Sequence, residues 1–148
     1  MNKKNIFIFS ITLFIVILDQ ITKFFIRQEL QLNQSIPIIR NILNFTHTTN
    51  TGSAFGLFKG LNLIFILFSF IVIIVIFRYL KKVKENERLL QFAVGSLSGG
   101  TIGNLIDRIF YGHVIDFIDF RVWPVFNIAD SFITISVIFI AVLLWNRS

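Results

Sequence analysis

Four stretches of this chain are each apolar for about the twenty residues a helix needs to cross a bilayer, and that property limits the folds open to it. They run from about Ile6 to Ile26, Leu61 to Phe77, Leu89 to Ile109 and Ile128 to Trp145. With 148 residues, 55% of them hydrophobic and 19 of them phenylalanine, the chain has too small an interior to hide its apolar surface from water. Lipid is the solvent the composition calls for. The expected fold is an all-α membrane protein, a single integral membrane domain over residues 1–148. It is a four-transmembrane-helix bundle with a small β-structured segment and loops on the outer face.

The third run is the most polar, being diluted by Gly95, Ser96, Ser98, Gly99, Gly100, Thr101, Gly103 and Asn104. Gly95, Gly99 and Gly103 recur every four residues, which places a groove of small residues along one helix face. Helices in lipid pack closely through such stripes, so the third segment is read as the centre of the bundle. Met1-Asn2-Lys3-Lys4 before an apolar run also fits a secretory signal peptide. No small-x-small cleavage site follows, and Asp19, Gln20 and Lys23 interrupt the far end; the first helix is expected to be retained.

Basic residues set the orientation, because Lys and Arg are kept on the cytoplasmic side. Five of the 14 basic residues (Arg78, Lys81, Lys82, Lys84 and Arg88) fall between the second and third runs, and Lys3 and Lys4 precede the first. Both termini and that loop are expected in the cytoplasm. The net charge of +6 is then a topology signal rather than a nucleic-acid footprint, since no basic groove interleaved with aromatics is present. On this topology Asp19, Glu29, Asp107, Asp116, Asp119 and Asp130 all fall near or beyond the outer ends of helices.

Several chemistries are excluded by residue type. The chain has no cysteine, which removes disulfides and thiol catalysis. His47 and His113 match no metal-ligand spacing, and no Gly-x-Ser-x-Gly elbow occurs. No metal and no cofactor are expected. Carboxylates remain, and ionisable groups at a bilayer boundary are expensive and usually functional.

Between the first two runs, about residues 36–52, β-branched and aromatic residues broken by Pro37 and Asn50-Thr51-Gly52 read as short strands on the membrane surface. In an extended His113–Phe120 segment Asp116 and Asp119 would point to opposite faces, so only one can enter a given site. Asp19 and Lys23, four apart, can pair across one helix turn. Asn104, Asp107 and Arg108 share a region of the third helix, and Arg108 is expected to hold Asp107 as a strut. Asp130 has no cation at helical spacing in its first turn, which leaves it free for proton transfer.

Five segments in order, Asp19-Gln20-Ile21-Thr22-Lys23, Asn50-Thr51-Gly52-Ser53-Ala54-Phe55, Gly99 to Arg108, Val114-Ile115-Asp116-Phe117 and Phe126-Asn127-Ile128-Ala129-Asp130, resemble the motif set of the lipoprotein signal peptidases, or signal peptidase II. The resemblance reaches from near the start of the chain to near its end. It implies a bacterial inner-membrane aspartic endopeptidase that removes signal peptides from diacylglyceryl-modified prolipoproteins. It also selects Asp116 over Asp119, pairing Asp116 with Asp130 as catalytic residues. Asn50, Gly52, Asn104, Arg108, Asn127 and Ala129 would shape the site or bind substrate, with Asp19, Lys23 and Asp107 in support. The expected partners are lipid-modified prolipoproteins and membrane lipids, with no nucleic acid, and the expected state is a monomer. In one departure, the stretch from Phe120 to Phe126 is shorter than the corresponding loop of other members, which bears on how substrate is covered. A small transporter with an Asp–Lys–Arg relay, or a scaffold whose aspartates serve packing alone, are the alternatives. The transporter fits less well because the polar residues gather at one face and no inverted repeat relates the halves, and the motif set weighs against the scaffold.

Overall fold

The computed structural model describes residues 2–52 and 61–145. It contains four helices long and apolar enough to cross a membrane, α1 (Lys3–Glu29), α2 (Asn62–Tyr79), α3 (Arg88–Tyr111) and α4 (Ile128–Trp145), with a 3-10 turn at Leu80–Lys82. Three strands, β1 (Ser35–Ile39), β2 (Leu43–Asn50) and β3 (Val114–Asp119), form one antiparallel sheet in the order β1-β2-β3. The chain therefore has the architecture read from its sequence, four long helices with a small sheet. Of the Asn50–Phe55 motif, residues beyond Gly52 lie outside the described residues.

Helix α3 is the spine. Most of its residues from Leu90 to Asp107 are buried, whereas α2 buries only Ser69 and Ile76 and α4 only Ala129 and Ser136. That inversion explains the weak hydropathy of the third run: a helix wrapped by other helices needs small and polar surfaces more than greasy ones. Gly95 and Gly99 lie against the backbone of α1, where a Cβ would stand 2.9 Å from the carbonyl oxygens of Ile8 and Thr12 respectively. Gly103 faces Asp19, and Gly100 faces α4, with a Cβ there 2.6 Å from the Ala129 carbonyl oxygen. On α1 the complementary stripe is Lys4, Ile8, Ile15, Asp19, Lys23 and Ile26, at steps of three, four and seven. Much of the rest of α1, including Phe9, Leu13, Phe14, Ile17 and Ile21, is exposed as a lipid-facing surface would be.

The two ends of the bundle are tied differently. At the basic end Lys4 Nζ donates to the carbonyls of Leu80 (2.9 Å) and Val83 (2.8 Å), capping the turn after α2. Ile8, Ile76, Val83, Leu90 and Val94 pack around it. At the other end the sheet rests on α1 through Ile26, Leu30, Ile115 and Phe117, with Phe45 edge-on to Phe117 at 5.7 Å between ring centres. Helix α3 stops at Gly112, in the left-handed region at φ 75°, whose N–H bonds back to Arg108 O. The chain turns there straight into β3.

A side chain at position 99 would have to push the backbones of α1 and α3 apart, whereas one at position 112 meets nothing within 4 Å and bears only the left-handed strain. Gly99→Val is expected to destabilise by about 1–3 kcal/mol, and Gly112→Ala by about 1 kcal/mol. Thermal unfolding in detergent should rank them in that order; equal midpoints would contradict the close α1–α3 seam.

Candidate active site

The site forms where α1, α3, the start of α4 and β3 meet. Its base is the ammonium of Lys23, 1% exposed, which lies 2.8 Å from Asp19 Oδ2 and 2.9 Å from Asp107 Oδ2. The third donor direction goes to Asn104 Oδ1 at 3.0 Å. A buried ammonium has three protons to place, and here all three have acceptors. The sequence reading assigned Asp107 to Arg108; the structure corrects this. Successive residues on a helix point in different directions, so Arg108 turns away and Lys23, arriving from α1, takes the carboxylate.

Both carboxylates of this triad also grip backbone. Asp107 Oδ2 accepts the Ile115 N–H at 3.1 Å, and Asp19 Oδ1 accepts the Ala129 N–H at 3.0 Å. Those are the residues immediately before Asp116 and Asp130. Gln20, to which the sequence reading gave no role, completes the layer by donating to Asp107 Oδ1 (3.0 Å) and to the Gly103 carbonyl (3.2 Å). Its place in the Asp19–Lys23 motif, as a polar residue in an apolar run, was the signal for it.

Above this layer Asp116 and Asp130 line one cavity of about 880 Å³. Asp116 Oδ1 accepts from Asn127 Nδ2 at 2.7 Å and Oδ2 from Asn50 Nδ2 at 3.1 Å. Asp130 Oδ1 accepts from Asn104 Nδ2 at 2.7 Å. Asn127 caps α4 by taking the Asp130 N–H on Oδ1 (2.8 Å), while its amide also donates to Asn104 Oδ1 (3.1 Å) and to the Ile115 carbonyl (3.2 Å). Asn50 is held by the Gly52 N–H on its Oδ1 at 2.9 Å. Thus Asn50, Asn104 and Asn127 each present N–H to a carboxylate of the pair. Ala129, fully buried, contributes its backbone and its small size where Gly100 and Gly103 approach.

Arg108 borders the same cavity, its guanidinium 5.1 Å from the Phe65 ring centre and its Nη2 3.4 Å from the Gly52 carbonyl. Its Nε is buried without a hydrogen-bond partner among the described residues. Away from the polar end the cavity is apolar, bordered by Phe65, Val72, Leu97 and Val137 between α2, α3 and α4. Trp123 and Pro124 border it on the sheet side.

Asp119 is engaged elsewhere, accepting Thr46 Oγ1 at 2.7 Å and the Arg121 N–H at 2.8 Å. Its work is the turn after β3, where Arg121 sits at φ 68°. His47 Nδ1 meets the Leu30 carbonyl at 2.9 Å, and His113 lies beside Tyr111. Among the described residues no three His, Cys, Asp or Glu converge as a metal site.

Burial, reinforced by repulsion from the Asp130 carboxylate, pushes the Asp116 carboxyl up to about 7. The donors from Asn50 and Asn127 and the charge of Lys23 oppose that rise without cancelling it. Two carboxyls facing one cavity with fixed amide donors are equipped to hold one proton between them.

The lipoprotein signal peptidase of Halothermothrix orenii is 36% identical over 140 residues, 95% of this chain and 96% of that protein. That of Geobacillus kaustophilus is 42% identical over 132 residues, 86% of each. A solved structure described as a bacterial membrane enzyme, determined by the in meso method at 2.3 Å, superposes with a TM-score of 0.88 at 36% identity, covering 93% of this chain and 86% of that one. Membrane-length helices around an acidic site that opens on an apolar cavity, in a chain with these relatives, make a membrane-embedded hydrolase. The family model for signal peptidase (SPase) II matches residues 11–146. The chain belongs to the signal peptidase II family, and it is a bacterial multi-pass membrane protease.

An unfolded aspartate titrates near 3.9, so between about pH 4 and about pH 7 the folded chain keeps a proton on Asp116 that the unfolded chain has lost. The folded state then binds more protons, and its stability falls as pH rises across that window. Denaturation midpoints in detergent should show this fall, and Asp116→Asn should flatten it. An unchanged slope in the variant would place the titration elsewhere.

Proposed function

We propose that this protein cuts the signal peptide from diacylglyceryl-modified prolipoproteins, with Asp116 and Asp130 sharing one proton to activate water. The observation that carries the reading is the pair itself. Two carboxyls, Asp116 buried and Asp130 half-buried, face a single cavity, each oriented by amide N–H, and neither forms an ion pair among the described residues. Two carboxylates that repel each other across one cavity resist double ionisation, so one member keeps a proton while the other acts as base.

In the reaction the ionised carboxylate takes a proton from water as the water oxygen bonds to the scissile carbonyl carbon. The protonated partner gives its proton to the carbonyl oxygen, forming a neutral tetrahedral diol. The C–N bond then breaks as the nitrogen takes a proton from one carboxyl and a diol hydroxyl returns one to the other. The pair ends with the single proton it started with. Asn50, Gly52 and Arg108 line the approach to the scissile bond, and Asn104, Asn127 and Ala129 shape the pair's side of the site. Asp19, Lys23 and Asp107 support it from below. The reaction needs no metal or cofactor.

An apolar cavity between α2, α3 and α4 suits a substrate that enters sideways from the bilayer, with acyl chains in lipid and its scissile bond at the height of the sheet. Arg78, Lys81, Lys82, Lys84 and Arg88 lie at the end opposite the sheet. The positive-inside rule puts that end and both termini in the cytoplasm, and the active site toward the outer face of the inner membrane. The protein acts as a monomer on this reading, with membrane lipids as its surroundings and no nucleic-acid partner.

Cleavage of a lipid-modified prolipoprotein by the purified protein in detergent, followed by gel shift, tests the proposal. Asp116→Asn and Asp130→Asn should each lower turnover by at least about 10³-fold while the protein stays folded. Asp119→Asn should leave turnover near that of the unmodified enzyme. Near-normal turnover in either of the first two variants would remove the pair from the mechanism.

A further inference from the structure

Which way round an asparagine amide sits is dictated by its partners, since its oxygen only accepts and its nitrogen only donates. Asn104 Oδ1 receives Lys23 Nζ at 3.0 Å and Asn127 Nδ2 at 3.1 Å, both of them donors. Turned over, Asn104 would aim its NH2 at an ammonium and at another NH2, and its oxygen at the Asp130 carboxyl. Its contacts with Lys23 and Asn127 would both set donor against donor. The ammonium cannot relax this by rotating, because its other two protons are held by Asp19 and Asp107.

Resting on the dyad reading above, we propose that Lys23 is a positioning residue for catalysis. Its buried ammonium locks the polarity of the Asn104 amide so that an N–H is always delivered to Asp130. Asn127 is fixed separately, its oxygen taking the Asp130 N–H at 2.8 Å and its amide nitrogen facing the Ile115 carbonyl at 3.2 Å and Asp116 at 2.7 Å. The ammonium, touching neither Asp116 nor Asp130, thereby fixes the donor on Asp130. Preorganised donors of this kind keep their value because nothing has to reorient as charge moves.

The alternative is that Lys23 only neutralises Asp19 and Asp107 and braces packing. Two variants separate these roles. Lys23→Met combined with Asp107→Asn keeps the net charge of the triad and an acceptor for the Ile115 N–H, but removes the ammonium from Asn104. It should lower kcat by about 10–10²-fold, with KM changed by less than about twofold, as expected for lost donor preorganisation rather than lost binding. Asn104→Asp keeps the shape and the acceptor for Lys23 but carries no N–H for Asp130. It should lower kcat by about 10²-fold, again at constant KM, and if the double variant does not fold this substitution decides. A kcat near the unmodified value in a folded double variant, or in Asn104→Asp, overturns the proposal. In the same assay Asp116→Asn is inactive whether or not Lys23 positions anything, so an active Asp116→Asn overturns the dyad reading instead.

Discussion

A single buried ammonium holds the working end of this protein together. Moving a charge from water into a helix bundle is unfavourable by several kcal/mol unless it is fully partnered, and Lys23 meets that demand with two carboxylates and an amide oxygen. A buried ion cluster of this kind is weak evidence for stability, since an apolar replacement of the same shape often does as well. Its consequence is geometric. Asp19 and Asp107 each also accept the N–H just before an aspartate of the cavity, those of Ala129 and Ile115, so the positions of Asp116 and Asp130 are both referred to one nitrogen atom.

That arrangement depends on packing further down the bundle. Asp19 and Lys23 reach α3 because the stripe of Gly95 and Gly99 lets α1 close onto it backbone to backbone. Gly103 ends the stripe where the charges begin: a Cβ there would lie 2.6 Å from Asp19 Oδ2. On the adjacent face of the same helix, Gly100 admits the Ala129 carbonyl and so brings the first turn of α4 to the same level. In lipid, where burial of apolar surface gives helices no reason to associate, small residues and polar contacts decide which helices meet and how closely. The glycines of α3 and the polar cluster at its end form one continuous seam.

How much of this was legible follows from what kind of signal each feature leaves. Helix spans are written in runs of apolar residues, and the glycine spacing marked α3 as central despite its polarity. The Asp19–Lys23 pair was legible because its partners are four apart on one helix. Asp107 was misassigned because its true partner comes from a different helix, and no spacing within α3 records that. Gln20 was passed over for the same reason, since its partners Asp107 and Gly103 lie on α3. Strand alternation separated Asp116 from Asp119 without saying which faced inward. The register is broken by an irregularity between Phe45 and Thr48, so the face each aspartate takes follows from pairing that the sequence does not display.

The short segment from Phe120 to Phe126 shows why a loop can change length without moving the residues on either side of it. Phe126 pairs with the strand before it: its carbonyl accepts the N–H groups of Phe117 (3.0 Å) and Ile118 (2.7 Å), and its own N–H reaches the Ile118 carbonyl at 3.1 Å. Asp119 closes the turn by capping Arg121. Asp116 and Asn127 are therefore fixed on the near side of a clamp, while the tip beyond it, with Val122 91% exposed, holds neither of them in place. Asp130 is fixed in turn by Asn127 and by the Asp19 carboxylate under Ala129. The hydrogen bonds that fix Asp116, Asn127 and Asp130 thus come from outside the tip, whose Trp123 and Pro124 border the cavity mouth.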